Sequence, residues 1–210
     1  MSVGRIIEGP ECIADGSAAL AVSDPRLADA LDRFSPLPLR RRPDGFASLL
    51  SMIVSQQVSV ASARAIWGRM QDAKLTGPRK IMWASDEDLR KAGLSRQKVR
   101  YARALADARI DFRALREAPT DEVIAVLTEV PGIGVWTAEI YAMFSLGRAD
   151  VFAPGDLALQ EGARMLLGLD ERPKEKELRA IAEAWSPWRS VAARLLWAYY
   201  AAELRREGTM

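Results

Sequence analysis

The segment Leu127-Thr128-Glu129-Val130-Pro131-Gly132-Ile133-Gly134-Val135-Trp136-Thr137-Ala138 carries the main fold signal. Pro131 has no N–H, and its ring collides with a preceding helical turn, so the helix leading into it ends near Glu129. Two glycines then permit a tight turn, and an apolar run restarts a helix near Val135. The spacing predicts helix, hairpin, helix over about residues 120–146. Gly132 and Gly134 leave the main-chain N–H groups around Val135 uncovered at a helix N-terminus, where orphan donors and the helix dipole favour a phosphate. A Pro-Gly-Ile-Gly run alone is ordinary turn punctuation. Its surroundings give it meaning.

Upstream, Leu89 to Ala106 holds six basic residues, Arg90, Lys91, Arg96, Lys98, Arg100 and Arg103, and no acid, whereas residues 121–150 hold five acids and one arginine. Such a stretch can neutralise phosphates or simply solvate a helix face. Further out, Ser23-Asp24-Pro25 supplies a capping side chain and a first-turn proline, and Ser35-Pro36-Leu37-Pro38 stops the helix that continues through Phe34. Phe46, Leu49, Leu50 and Ile53 recur at helical spacing, as do Ile66 and Met70. The tracts 95–109, 120–129, 135–146, 156–167, 174–185 and 188–206 are rich in good helix formers. Strand-like alternation is scarce beyond the first twenty-odd residues. The expected fold is all-α, a compact unit of short helices joined by brief Gly or Pro loops.

A chain of 210 residues suits one domain or two small lobes around a cleft. With 49% apolar and 28% charged residues it reads as an ordinary globular protein. No apolar run reaches bilayer length, and Glu8 interrupts the N-terminus before a signal-peptide core develops, so no membrane association and an intracellular location are expected. There is no histidine and one cysteine, Cys12. Disulfides, ordinary zinc sites and Ser-His-Asp or Cys-His machinery are therefore excluded. Any proton-handling or charge-stabilising group must be a carboxylate, a lysine, a tyrosine or a hydroxyl.

Three ordered blocks resemble the helix-hairpin-helix (HhH-GPD) DNA glycosylase superfamily, most closely its 3-methyladenine DNA glycosylase II (AlkA-like) branch. The central block is Val130-Pro131-Gly132-Ile133-Gly134, Trp136-Thr137-Ala138, Leu146-Gly147-Arg148, Asp150-Val151-Phe152 and Pro154-Gly155-Asp156. Upstream lie Ile53-Val54-Ser55-Gln56-Gln57-Val58-Ser59 and Gly93-Leu94-Ser95 with Lys98; downstream lie Trp185-Ser186-Pro187-Trp188-Arg189-Ser190 and Trp197. The resemblance spans roughly residues 23–206. It implies a two-lobed helical module with the active-site cleft between lobes. One lobe would be residues 1–45 with 149–210, the other residues 46–148 carrying the hairpin. It also implies a minimal version of the family, without a strand-rich N-terminal domain, acting as a monomer on damaged double-stranded DNA.

On local pattern alone Asp156 is a helix N-cap ahead of Leu157–Leu167. The resemblance implies that it is also the catalytic acid, and the two roles are compatible. A lone carboxylate suits the chemistry, because breaking an N-glycosidic bond leaves an oxocarbenium-like sugar that a nearby anion stabilises. An alkylated purine such as 3-methyladenine or 7-methylguanine already carries positive charge and departs without a general acid. The implied base pocket comprises Trp136, Trp197, Gln56 and Tyr141, and the faces of Trp136 and Trp197 would stack on an everted base. Gln57 falls where the family inserts a wedge residue into the duplex. Gly132, Gly134 and Val135 would meet phosphate. Ser95 and Lys98 are placed either to do the same or only to join helices.

Main-chain carbonyls of Thr128, Val130 and Ile133 would hold a monovalent cation, Na+ or K+, with no cofactor required for the reaction. Relatives that also nick the strand carry a lysine where this chain has Trp136, so a monofunctional glycosylase is implied, and one cysteine cannot build an iron–sulfur cluster. The AlkA-like branch often has a tyrosine one turn after the hairpin tryptophan, where this chain reads Ile140-Tyr141, which leaves substrate range open. Trp67, Trp83, Trp185 and Trp188 are expected mainly in the core. Two other readings remain: a non-catalytic helix-hairpin-helix DNA-binding module, and a glycosylase of this fold for another base lesion.

Overall fold

The computed structural model describes residues 3–206. Among these residues lie thirteen α-helices, one 3-10 turn and a lone antiparallel bridge between Ile6 and Arg148, with no strand, as an all-α fold requires. None of the helices is long and apolar enough to cross a membrane.

The chain divides into two compact units. The first, Arg42–Tyr141, contains α3 (Phe46–Ser55), α4 (Val60–Asp72), α5 (Pro78–Trp83), α6 (Asp86–Lys91), α7 (Arg96–Asp107), α8 (Phe112–Glu117), α9 (Thr120–Thr128) and most of α10 (Val135–Phe144). The second holds α1 (Pro10–Ser23), α2 (Pro25–Phe34), α11 (Leu157–Leu167), α12 (Glu175–Ala182), the 3-10 turn Glu183–Trp185 and α13 (Arg189–Arg206).

Side-chain caps fix where many of these helices begin. Asp24 accepts from the N–H of Arg26, Ser59 from Ser62, Ser95 from Lys98, and Asp111 from Arg113 and Ala114, each meeting a donor that the first helical turn cannot satisfy. Ser85 and Asp88 form a reciprocal capping box on α6.

In the first unit α3 packs on α4 and α7, and α5 and α6 also pack on α7. The face of α3 read from the sequence is the buried one: Leu49, Leu50 and Ile53 are fully enclosed, as are Ala102 and Leu105 of α7. In the second unit α13 is the hub, meeting α1, α2 and α11. Helices α11 and α13 approach closely at Gly162, where an added Cβ would sit 2.7 Å from the carbonyl oxygen of Leu196. Arg194 of α13 is buried, donating from Nη1 to Ser190 O at 2.7 Å and from Nη2 to Leu39 O at 3.1 Å, with its guanidinium over the Phe144 ring.

The first twenty-odd residues, for all their strand-like alternation, are mostly α1, opened by Pro10 in its first turn and buried through Ile13, Gly16 and Leu20. One expectation needs correction. Trp83 is not in the core but 79% exposed. In the short helix α5 only Ile81 faces inward, and a residue two positions later points to the opposite side. Trp185 and Trp188 are buried as expected, and Trp67 is half-buried.

Because backbone, not a flexible side chain, blocks Gly162, Gly162→Ala is expected to destabilise the protein by about 1–3 kcal/mol. Thermal or urea unfolding checks this, and an unchanged midpoint would contradict the close approach.

Candidate nucleic-acid interface and active site

Helix α9 ends at Thr128 and α10 starts at Val135, so the hairpin lies where the proline and glycines put it. Its turn is closed by Ile133 N–H to Val130 O at 3.0 Å, and Gly134 O accepts the first bond of α10, from Ala138 N–H. Gly132 has φ +95°, and a Cβ there would strike the Tyr101 ring from α7. No other residue fits both constraints. Gly134 differs: a Cβ there would meet nothing within 4 Å, so no packing within the fold requires a glycine. Val135 and Trp136 are 46% and 44% exposed at the same corner.

Beside this corner is a surface cavity of about 640 Å³ lined by Gln56, Gln57, Ser95, Lys98, Gly132 and Gly134, all singled out from the sequence. Gln56 Nε2 donates to Gly132 O at 2.9 Å, fastening the turn after α3 to the hairpin. Part of its amide is thus spent on the scaffold. Gln57 next to it is exposed and sits in the left-handed region at φ 56°. Ser95 is the exposed N-cap of α7.

Lys98 is only 9% exposed, and its ammonium donates to Val54 O at 2.6 Å near the C-terminal end of α3. Burial holds its pKa below the usual lysine value. Of the two roles open to Lys98 in the sequence, the geometry supports joining helices rather than meeting phosphate. Tyr141 is also displaced from its expected place in a base pocket: it is fully buried, its hydroxyl accepts from Gly45 N–H at 2.8 Å, and burial pushes its pKa up to about 12.

In the second unit Asp156 is the N-cap of α11. Its Oδ1 accepts from Ala158 N–H at 2.9 Å, Leu159 N–H at 3.1 Å and the indole Nε1–H of Trp197 at 3.3 Å. Three donors converging on one oxygen fix the orientation of the carboxylate. Trp197 itself packs against Phe144 at a tilt of 31°, with ring centroids 5.7 Å apart. Both Asp156 and Trp197 stay half-buried. The Asp156–Trp197 bond was not legible from sequence, since 41 residues separate the partners without a pattern. Tyr101 was also missed, although it lies one helical turn beyond Lys98 on α7. Asp150, in the central block, receives Ser186 Oγ at 2.8 Å and Arg189 Nε at 2.6 Å, which gives the Ser186-Pro187-Trp188-Arg189 run a structural task.

The family described as "HhH-GPD superfamily base excision DNA repair protein" matches residues 50–187, about two thirds of the chain, from α3 into the start of the downstream tryptophan block. The chain belongs to that superfamily. Its relatives set it in the AlkA-like branch of the HhH-GPD proteins. DNA-3-methyladenine glycosylase 1 of Schizosaccharomyces pombe is 30% identical over 181 residues, covering 82% of this chain and 79% of that protein. DNA-3-methyladenine glycosylase 2 of Escherichia coli is 27% identical, covering 94% of this chain and 74% of that protein. The crystal structure of a DNA-3-methyladenine glycosidase from Bacillus halodurans superposes with a TM-score of 0.83 at 38% identity, covering 90% of this chain and 91% of that one. The S. pombe enzyme Mag1 in complex with abasic DNA superposes with a TM-score of 0.76 at 28% identity, over 87% of this chain and 95% of that one.

Two substitutions separate scaffold from contact. Gly134→Val is expected to leave thermal stability near that of the parent while weakening binding to all duplexes alike; sequence-selective loss would contradict a phosphate role. Lys98→Met leaves the Val54 carbonyl without its donor and is expected to cost about 1–3 kcal/mol of stability. The salt dependence of DNA binding should not change, whereas a lost phosphate contact would flatten the slope of log K against log salt by about 0.9.

Proposed function

We propose that this HhH-GPD protein is a monofunctional DNA glycosylase of base excision repair. It removes alkylated purines of the 3-methyladenine and 7-methylguanine type from double-stranded DNA and leaves an abasic site. The observation that carries the reading is the Asp156 carboxylate, held by two main-chain N–H groups and the Trp197 indole in a chain whose relatives are 3-methyladenine glycosylases.

In the reaction the bond between C1′ and the purine nitrogen breaks and its electron pair leaves with the base. The alkylated purine carries a positive charge, so it departs neutral and needs no proton. The sugar becomes an oxocarbenium-like cation, which the Asp156 carboxylate stabilises in a site shielded from water. Water adds to C1′ and loses its proton, toward Asp156 or bulk solvent. Trp136, exposed at the hairpin, and Trp197 offer π-faces that attract a cationic base.

The hairpin N–H groups at Gly134 and Val135 take backbone phosphate, and Gln57 fills the gap left by the everted nucleotide. Trp136 has no amine with which to form a Schiff base, which supports the absence of a strand-nicking step. The main-chain carbonyls of Thr128, at the end of α9, and of Val130 and Ile133, in the hairpin after it, would offer hard oxygen donors to a monovalent cation, with Val130 O also accepting from Ile133 N–H; such an ion would brace the hairpin. The protein works as a monomer inside the cell, where its DNA is.

Asp156→Asn is the test, because asparagine caps a helix as well as aspartate does but carries no charge. Base release from DNA treated with a methylating agent should fall by at least about 10²–10³-fold. Affinity for an abasic-analogue duplex should persist. Equal loss of both, or of neither, would favour a binding module without chemistry. Release of only uracil or oxidised bases by the parent protein would overturn the alkylpurine assignment, and a covalent adduct trapped by borohydride would overturn the monofunctional one.

A further inference from the structure

In the loop after α2 the sequence reads Leu37-Pro38-Leu39-Arg40-Arg41-Arg42. Arg40 and Arg41 are exposed, and neither guanidinium donates a hydrogen bond or forms an ion pair among the described residues. The loop bearing them is nevertheless fixed. Leu37 is buried, and Leu39 O accepts two bonds from the buried Arg194. The Arg41 guanidinium lies against the main chain of Gly147, where a Cβ would collide with it. Arg40 is held at φ 51°, in the left-handed region that non-glycine residues seldom enter without a reason in the surrounding structure.

Electrostatics makes the arrangement unusual. Burial above all, together with the charges of Arg40 and Arg41, pushes the Arg194 pKa down to about 10. Three guanidinium groups that repel one another weaken the fold unless something anionic offsets them. Arginine is also the residue suited to phosphate, through a planar fork of donors that binds two oxygens at once.

We infer that Arg40 and Arg41, on a loop pinned by Arg194, form a second phosphodiester-binding site for the DNA backbone, in the unit that carries Asp156 rather than in the one that carries the hairpin. The inference rests on the DNA-glycosylase reading above. A contact of this kind positions the duplex without reading its sequence, and its energy comes from released counterions.

The test is the salt dependence of binding to an abasic-analogue duplex, measured for the parent, Arg40→Ala/Arg41→Ala and Arg40→Lys/Arg41→Lys. The alanine pair should flatten the slope of log K against log salt by about 0.9 for each phosphate lost, so by up to roughly 1.8. The lysine pair should keep most of the slope. Single-turnover base release at saturating protein should stay at the parental rate, and the melting temperature of the alanine pair should not fall. An unchanged slope in the alanine pair overturns the site. So does binding of inorganic phosphate or a mononucleotide that the alanine pair loses while its DNA slope stays parental, because the ligand would then be a free phosphate. If the parent binds DNA with the steep slope but releases no base, the glycosylase reading fails while the arginine contact stands.

Discussion

Short helices have many ends, and every end exposes N–H or C=O groups that need partners. This constraint shapes the protein at each level. Asp24, Ser59, Ser85, Ser95, Asp111 and Asp156 each close the start of a helix with a side-chain oxygen. Asp156 shows how the same requirement would serve the chemistry proposed for it. The two N–H groups it satisfies in α11 are also the groups that orient its carboxylate, and the Trp197 indole adds a third. At the hairpin the solution is reversed: Gly134 leaves the start of α10 without a capping side chain, so the acceptor can come from a ligand.

Helix C-termini are handled by cations. Lys98 donates to Val54 O near the end of α3, and Arg103 donates to Ile81 O, Met82 O and Ala84 O around the end of α5. The carbonyl ends of helices carry partial negative charge, so an ammonium or guanidinium there is favoured by the dipole as well as by the hydrogen bond. Two of the six basic residues in the Leu89–Ala106 stretch are spent inside the fold in this way, and Lys91 is paired with Glu87. A basic stretch in sequence is therefore an upper bound on the charge that a polyanion can meet.

The legible and illegible parts of the molecule divide along the same line. Caps, prolines and glycines act within a few residues, so the hairpin, the start of α2 and the face of α3 could be read directly from the chain. Helix α1 escaped because only three of its residues are buried, too few to show a helical period. Trp83 was misplaced because a large apolar side chain carries no record of which way a six-residue helix turns it. Tyr141 is expected in the base pocket and Lys98 is left open between phosphate and scaffold, yet each completes a distant backbone group, Gly45 N–H and Val54 O, and long-range pairs leave no local pattern. Position 156 could be read as a cap from spacing alone. Its second role came from resemblance, and its bond to Trp197 only from three dimensions.

Gln57, the exposed residue with φ 56°, stands at the tip of a turn tied down by Gln56 and Lys98. A residue already bent into that conformation has borne the ordering penalty during folding, so no rearrangement needs to accompany each encounter with a duplex. In the wedge role proposed for Gln57, a stiff probe of this kind would present one outline to every base step, and the dwell time at each step would reflect how easily the helix there unstacks.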